Sequence, residues 1–179
     1  MIYVFLANGF EECEAIAPID VLKRAGFDVI TVGVNGKTAV GAHNIPVICD
    51  ITTNEVTFEN LEAIILPGGM PGTLNLENDN TVQKAIDYAN KKHLLIGAIC
   101  AAPSILGHKG LLNGKKATCF PGFEKDLLGA IVTNASVVSD DNIITAKGAG
   151  VALDFGFELL AYLKNENTAD NLKIQMMFK

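Results

Sequence analysis

Ala63-Ile64-Ile65-Leu66-Pro67-Gly68-Gly69 and Leu94-Leu95-Ile96-Gly97-Ala98-Ile99-Cys100 decide how this 179-residue chain folds. Each is an apolar run cut off abruptly, the first by Pro-Gly-Gly and the second by a cysteine. A half-exposed strand alternates apolar and polar side chains. A strand that is apolar at every position needs cover on both faces, as a central parallel strand has. Three more runs read as strands: Ile2–Ala7, Asp28–Val34 around Val29-Ile30-Thr31-Val32, and Ile143–Ala146. Shorter ones are expected near Val47-Ile48-Cys49, over Ala117–Phe120 and from Val132 to Val138.

Helical patterns separate these runs. Glu12–Ala25 carries an apolar stripe at Cys13, Ile16, Ala17, Val21 and Leu22 and is closed by Gly26; Pro18 inside it predicts a kink or a late start. Thr81–Lys92, Ala101–His108, Val151–Lys164 and Thr168–Phe178 follow. Strands alternating with helices imply parallel pairing through right-handed crossovers. The reading is one α/β domain over residues 1–179, a three-layer sandwich with a mostly parallel sheet between helices. No internal repeat or linker-like stretch interrupts it.

Composition narrows the function classes. Hydrophobic residues make up 49% and charged ones 19%, which excludes a solvating, disordered chain. The net charge of −6 argues against nucleic acid or an anionic membrane surface as partner. No run approaches the roughly 18 apolar residues of a membrane span. Met1–Ala7 has no basic residue ahead of it and reads as a strand rather than a secretory signal. A cytoplasmic, reduced protein is expected. Its four cysteines, Cys13, Cys49, Cys100 and Cys119, contain no C-x-x-C pair of the kind that holds a metal.

In open α/β sheets the reactive crevice lies beyond the carboxyl ends of the strands. Asn8-Gly9-Phe10-Glu11-Glu12, Pro67–Gly72 and Cys100-Ala101-Ala102-Pro103 all fall at such ends. Cys100 has alanines two places before and two places after it. A nucleophile elbow needs small residues there, because the backbone folds back on itself. A cysteine at the positive end of the next helix would have its thiol pKa lowered. The same residue also reads as a buried structural thiol. Gly69 is either a plain turn residue or an N–H donor to an oxyanion beside Cys100. Neither G-x-x-x-x-G-K nor G-x-G-x-x-G stands at a strand-to-helix junction, so no phosphate loop is expected.

Glu11, Glu12 and Glu14 open the first helix. They either complement its dipole or send one carboxyl into the crevice. His43, His93 and His108 supply no obvious base for the cysteine, and His108 reads as a helix-end cation. Cys13, Cys49 and Cys119 default to packing.

Four motifs in register, Asn8–Glu14, Leu66–Gly69, Ala98–Pro103 and Lys147–Gly150, resemble the ThiJ/PfpI superfamily over Tyr3 to about Leu163. The branch they resemble most is that of the parkinsonism-associated protein deglycase. The resemblance implies a flavodoxin-like fold and a homodimer. It implies a reactive cysteine at Cys100, a carboxylic acid partner at Glu14, and backbone donors at Gly69 and Ala101. The implied activity is cofactor-free, acting on small reactive aldehydes (methylglyoxal to lactate) or early glycation adducts. Redox sensing or a chaperone-like role by the same cysteine is the alternative. Two departures stand out. Relatives with robust glyoxalase activity often carry a histidine where this chain has Phe120, and some place an arginine where it has Asn44. Slow turnover is therefore expected. Ala101, where a protease-like branch has histidine, argues against a peptidase.

Overall fold

The structure is a computed structural model that describes residues 1–34 and 36–178. Strands β1 (Ile2–Leu6), β2 (Val29–Gly33), β3 (Thr38–Val40), β4 (Pro46–Ile48) and β5 (Ile51–Thr52) fill the first third, with helix α1 (Glu12–Arg24) after β1. Then come β6 (Ala63–Leu66), α2 (Gly72–Asn78), α3 (Asn80–Lys91), β7 (Leu95–Ile99) and α4 (Pro103–His108). The chain continues through β8 (Lys116–Ala117), β9 (Ile131–Val132), β10 (Val137–Asp140), β11 (Ile143–Ala146), α5 (Ala152–Leu163) and α6 (Glu166–Gln175).

Seven strands form one sheet in the order β10-β11-β7-β6-β1-β2-β5, parallel throughout except that β10 runs against β11. Helices cover both faces, giving the flavodoxin-like α/β architecture. The pleat of β1 shows why its every residue is apolar. Ile2, Val4 and Leu6 pack with Ala15 and Leu22 of α1, Phe155 and Leu159 of α5 and Leu172 of α6. Tyr3 and Phe5, on the opposite face, pack with Val82 and Ile86 of α3 and Ile105 and Leu106 of α4. Because β1, β6 and β7 are neighbours in register, the segments that follow Leu6, Leu66 and Ile99 emerge together at one edge of the sheet.

The sequence expectations shift in several places. α1 runs unbroken through Pro18. Its buried face carries Glu12, Glu14, Ala15, Pro18, Ile19 and Leu22, while Cys13 is exposed and not a core residue. The helix is turned by its contact with α5, whose backbone comes so close that a Cβ on Gly156 would lie 3.1 Å from Pro18 Cα. Of the run expected over Ala117–Phe120 only Ala117 is strand, together with Lys116 in β8, and Phe120 stands beyond it. The run from Val132 to Val138 is divided between β9 and β10. The hairpin of β3 and β4 was legible only in its second arm.

Gly97 in β7 faces α5, where a Cβ would sit 2.8 Å from Leu159 Cδ2 and 3.0 Å from Phe155 Cζ. Gly97→Ala therefore overpacks the sheet–helix seam and costs about 1–3 kcal/mol. Urea unfolding of the two proteins measures the loss, and an unchanged midpoint would contradict this packing.

Candidate active site

The segments leaving β1, β6 and β7 interlock through backbone, and several of their glycines are needed for contact. The Glu11 N–H donates to Gly68 O (3.0 Å) and Gly72 N–H to Gly9 O (3.3 Å). Gly69, at φ 89°, lies so near that a Cβ would be 2.5 Å from both Glu11 N and Gly9 O.

Cys100 sits at the sharp turn after β7 with φ 65°, a left-handed conformation that costs a residue with a Cβ free energy. Neighbouring hydrogen bonds hold it there. Its N–H donates to Ala146 O (2.8 Å), and its carbonyl accepts the Phe120 N–H (2.8 Å). Ala98 and Ala102, the flanking small residues, are fully buried. The turn is the elbow the sequence predicts.

Glu14 faces the sulfur from α1. Only 1% exposed, its carboxyl hydrogen-bonds the Cys100 side chain and accepts backbone N–H groups from Gly68 (3.0 Å, to Oε2) and Ala149. Gly68 makes the approach possible, since a Cβ there would be 2.5 Å from Cys100 Cβ and 2.6 Å from Glu14 Oε2. The Gly69 and Ala101 N–H groups both point at the sulfur. The structure thus brings together Cys100, Glu14, Gly69 and Ala101.

The electrostatics differ from the expectation. α4 begins only at Pro103 and is six residues long, too short and too remote to dominate. Burial, then the charge and hydrogen bond of Glu14, push the Cys100 thiol up to about 12, against the pull of the Gly69 and Ala101 N–H groups. Burial likewise raises Glu14 to about 7, against its hydrogen bonds from Cys100, Gly68 and Ala149. Between these limits the pair carries one proton. Thiol with carboxylate and thiolate with carboxylic acid are two forms of that single charge state. A proton passing from sulfur to Glu14 creates the nucleophile without burying a second charge.

Beside the pair, Phe120, Pro121, Lys147, Gly148, Ala149, Gly150 and Val151 line a cavity of about 290 Å³. The histidines lie elsewhere. His108 ends α4 beside Glu77 (2.6 Å), and His93 pairs with Asp141 (3.1 Å). His43 donates its backbone N–H to buried Glu12 and sets its Nδ1 against the other carboxylate oxygen, both at 2.8 Å. Burial opposes ionisation of Glu12, but these bonds outweigh it and lower the carboxyl's pKa. Sequence reasoning missed this pair, whose members are 31 residues apart. Glu11, Glu12 and His43 offer ligand atoms within 4.8 Å of one another, yet Glu11 already caps α1 at the Glu14 N–H (2.8 Å). All four cysteines are free, with Cys49 and Cys119 buried.

Residues 1–162 match the model of the DJ-1/PfpI family. The chain belongs to that family. It is 33% identical over 179 residues to Protein dj-1beta of Drosophila melanogaster, covering 98% of this chain and 93% of the relative. Protein DJ-1 homolog B of Arabidopsis thaliana is 36% identical over 92% of this chain, which spans only 38% of that longer protein. A solved structure of Toxoplasma gondii DJ-1, described as oxidized, superposes with a TM-score of 0.95 at 29% identity, covering 99% of this chain and 97% of that one. Among the described residues no helix is long and apolar enough to cross a membrane.

In this DJ-1/PfpI chain Glu14 also sets a pH dependence of stability. Its folded pKa of about 7 exceeds its ordinary 4.5, so between those values the native state holds a proton the unfolded chain has released. Stability falls as pH rises through that window, by on the order of 3 kcal/mol in all. Wild type should therefore lose that much relative to Glu14→Gln between about pH 4.5 and pH 8, read from urea unfolding at several pH values. A difference that does not vary with pH would sink the assignment.

Proposed function

We propose that this protein is a cofactor-independent, cysteine-dependent enzyme acting on small 2-oxoaldehydes, of the glyoxalase or deglycase type, and that residues 1–179 act as one cytoplasmic domain. The carrying observation is the hydrogen bond between the buried Glu14 carboxyl and Cys100, with two backbone donors at the sulfur. Cys100 Sγ adds to the aldehyde carbon as its proton passes to Glu14, and the resulting hemithioacetal oxygen faces the N–H groups of Gly69 and Ala101. Glu14 hands that proton to the hemithioacetal oxygen and, as a carboxylate again, takes the proton from the carbon bound to sulfur and returns it to the neighbouring ketone carbon. Meanwhile the hemithioacetal hydroxyl passes its proton to the former ketone oxygen and becomes the thioester carbonyl. The sulfur is now held as a thioester of a 2-hydroxy acid. Water cleaves it, releasing the acid and restoring the thiol; methylglyoxal plus water gives lactate. No histidine approaches the pair, so Glu14 alone moves the proton between the carbons and turnover is slow.

A second reading uses the same atoms. The donors that hold an oxyanion would equally hold the oxygens of a sulfenic or sulfinic Cys100, with protonated Glu14 donating to them. The oxidized state of the solved Toxoplasma gondii relative supports it. A redox-sensing or chaperone-like role could accompany turnover.

The implied homodimer has a face to use. Cys13, Ile16, Ala17, Ile45 and Val47 line an apolar groove of about 470 Å³ beside α1, with Ile16 45% and Ile45 55% exposed. A second copy of the chain is the proposed occupant, since apolar patches of this kind are scarce on monomers. Light scattering should give about twice 19.0 kDa, and Ile16→Asp should reduce it to one chain's mass. A wild-type monomer at micromolar concentration would contradict this.

Lactate formed from methylglyoxal by wild type, Cys100→Ala and Glu14→Gln tests the enzyme. Cys100→Ala should abolish Cys100-dependent product, and Glu14→Gln should slow it by roughly 10²–10⁴-fold. Equal rates in all three would remove the proposal.

A further inference from the structure

The cavity beside Glu14 has a composition that the reaction alone does not require. Phe120, Pro121, Val151 and the backbone of Gly148-Ala149-Gly150 make its walls, and its single charged residue, Lys147, directs its ammonium to Asn134 Oδ1. Phe120 is 48% exposed although its backbone is fixed on both sides, by its N–H to Cys100 O and by its carbonyl accepting the Phe123 N–H (3.1 Å). An aromatic ring held at the edge of a reactive centre and left open is available for a ligand to cover.

The cavity also lies in the right direction. Glu14 is bonded to Cys100 on one side and to the Ala149 N–H on the other. A Cβ on Gly148 would stand 3.3 Å from Phe120 Cδ2 and 3.6 Å from Glu14 Oε1, so only the bare glycine backbone separates ring from carboxyl. In a substrate R–CO–CHO the aldehyde carbon sits on Cys100 Sγ and the ketone carbon faces Glu14. The group R then continues toward Gly148 and Phe120.

We infer that the Phe120 cavity is a specificity pocket selecting 2-oxoaldehydes whose R group is aromatic or bulky and apolar, over methylglyoxal. The inference rests on the 2-oxoaldehyde reading above and adds the substrate class. A cavity of about 150 Å³ can hold benzene, and this one has about 290 Å³. Burying R against Phe120 removes apolar surface from water and adds an aromatic contact, which together favour an aryl substrate by about tenfold or more. Phe120 acts here as a binding residue, and the chemistry stays with Cys100 and Glu14.

The test compares kcat/KM for phenylglyoxal and methylglyoxal in wild type, Phe120→Ala and Cys100→Ala, and measures binding of the two products, mandelate and lactate, by calorimetry. Wild type should bind mandelate about tenfold more tightly than lactate, and Phe120→Ala should erase most of that preference. Phe120→Ala should also lower kcat/KM for phenylglyoxal about tenfold more than for methylglyoxal. Cys100-dependent turnover with the same substrate ratio in wild type and Phe120→Ala overturns the pocket and leaves the enzyme standing. Absence of Cys100-dependent turnover of either aldehyde overturns the enzyme instead. In that case equal affinity for mandelate and lactate overturns the pocket as well, and a Phe120-dependent preference sustains it as an aryl-acid site.

Discussion

A sulfur and a carboxyl are pressed together in a space that exists because Gly68 has no side chain. The carboxyl of Glu14 is out of water, so it resists ionising; the thiol of Cys100 is buried too and faces it, so it resists ionising all the more while Glu14 is charged. The backbone donors of Gly68 and Ala149 stabilise a negative charge on Glu14, and those of Gly69 and Ala101 favour one on the sulfur. Most of the local architecture serves this arrangement. The left-handed turn at Cys100 aims the sulfur, and α1 enters from the side to supply the acid.

The sheet order makes that convergence unavoidable. With β1 between β2 and β6, and β6 between β1 and β7, the three segments with unusual residues leave the sheet side by side. They then lock together by backbone contacts at Gly9, Gly69 and Gly72, where any side chain would overlap a neighbouring main chain. Rigidity at this edge has a cost in foldability, since it needs several glycines and a strained cysteine. The two cores on either face of β1 offset that cost with a large buried apolar area.

Legibility in the sequence followed the strength of the burial signal. β1, β6, β7 and β11 were readable because strands covered on both faces are apolar at every position. β3 and β5, of three and two residues, are too short for any period to show, and β8 and β9, of two residues each, were expected but with misplaced bounds. The α1 stripe misled for a different reason. Apolar Cys13 and Ile16 face outward while Glu12 and Glu14 face inward, because His43 and Gly68 satisfy those carboxyls across the fold. Hydrophobic pattern alone cannot anticipate a buried acid whose partner is 54 residues away. The elbow at Cys100 was legible from its small neighbours, but its electrostatics were not. A helix-end argument omits the burial of the sulfur and the carboxyl across the turn, which together raise the thiol.

Phe120 connects these levels. Its amide is fixed by the cysteine's own carbonyl, so whatever side chain stands there borders the reactive pair. An imidazole at that place could exchange protons with the pair and share the work of Glu14. A phenyl ring cannot, and it changes two properties at once. It brings no titratable group to the Cys100–Glu14 pair, and it lowers the polarity of the adjoining cavity, which further favours the uncharged form of a buried carboxyl. An apolar ring at this place therefore acts in the same direction as the burial that raises Glu14 to about 7. Replacing ring by imidazole would relieve the first constraint while disturbing the second, so the two residues have to be considered as one unit.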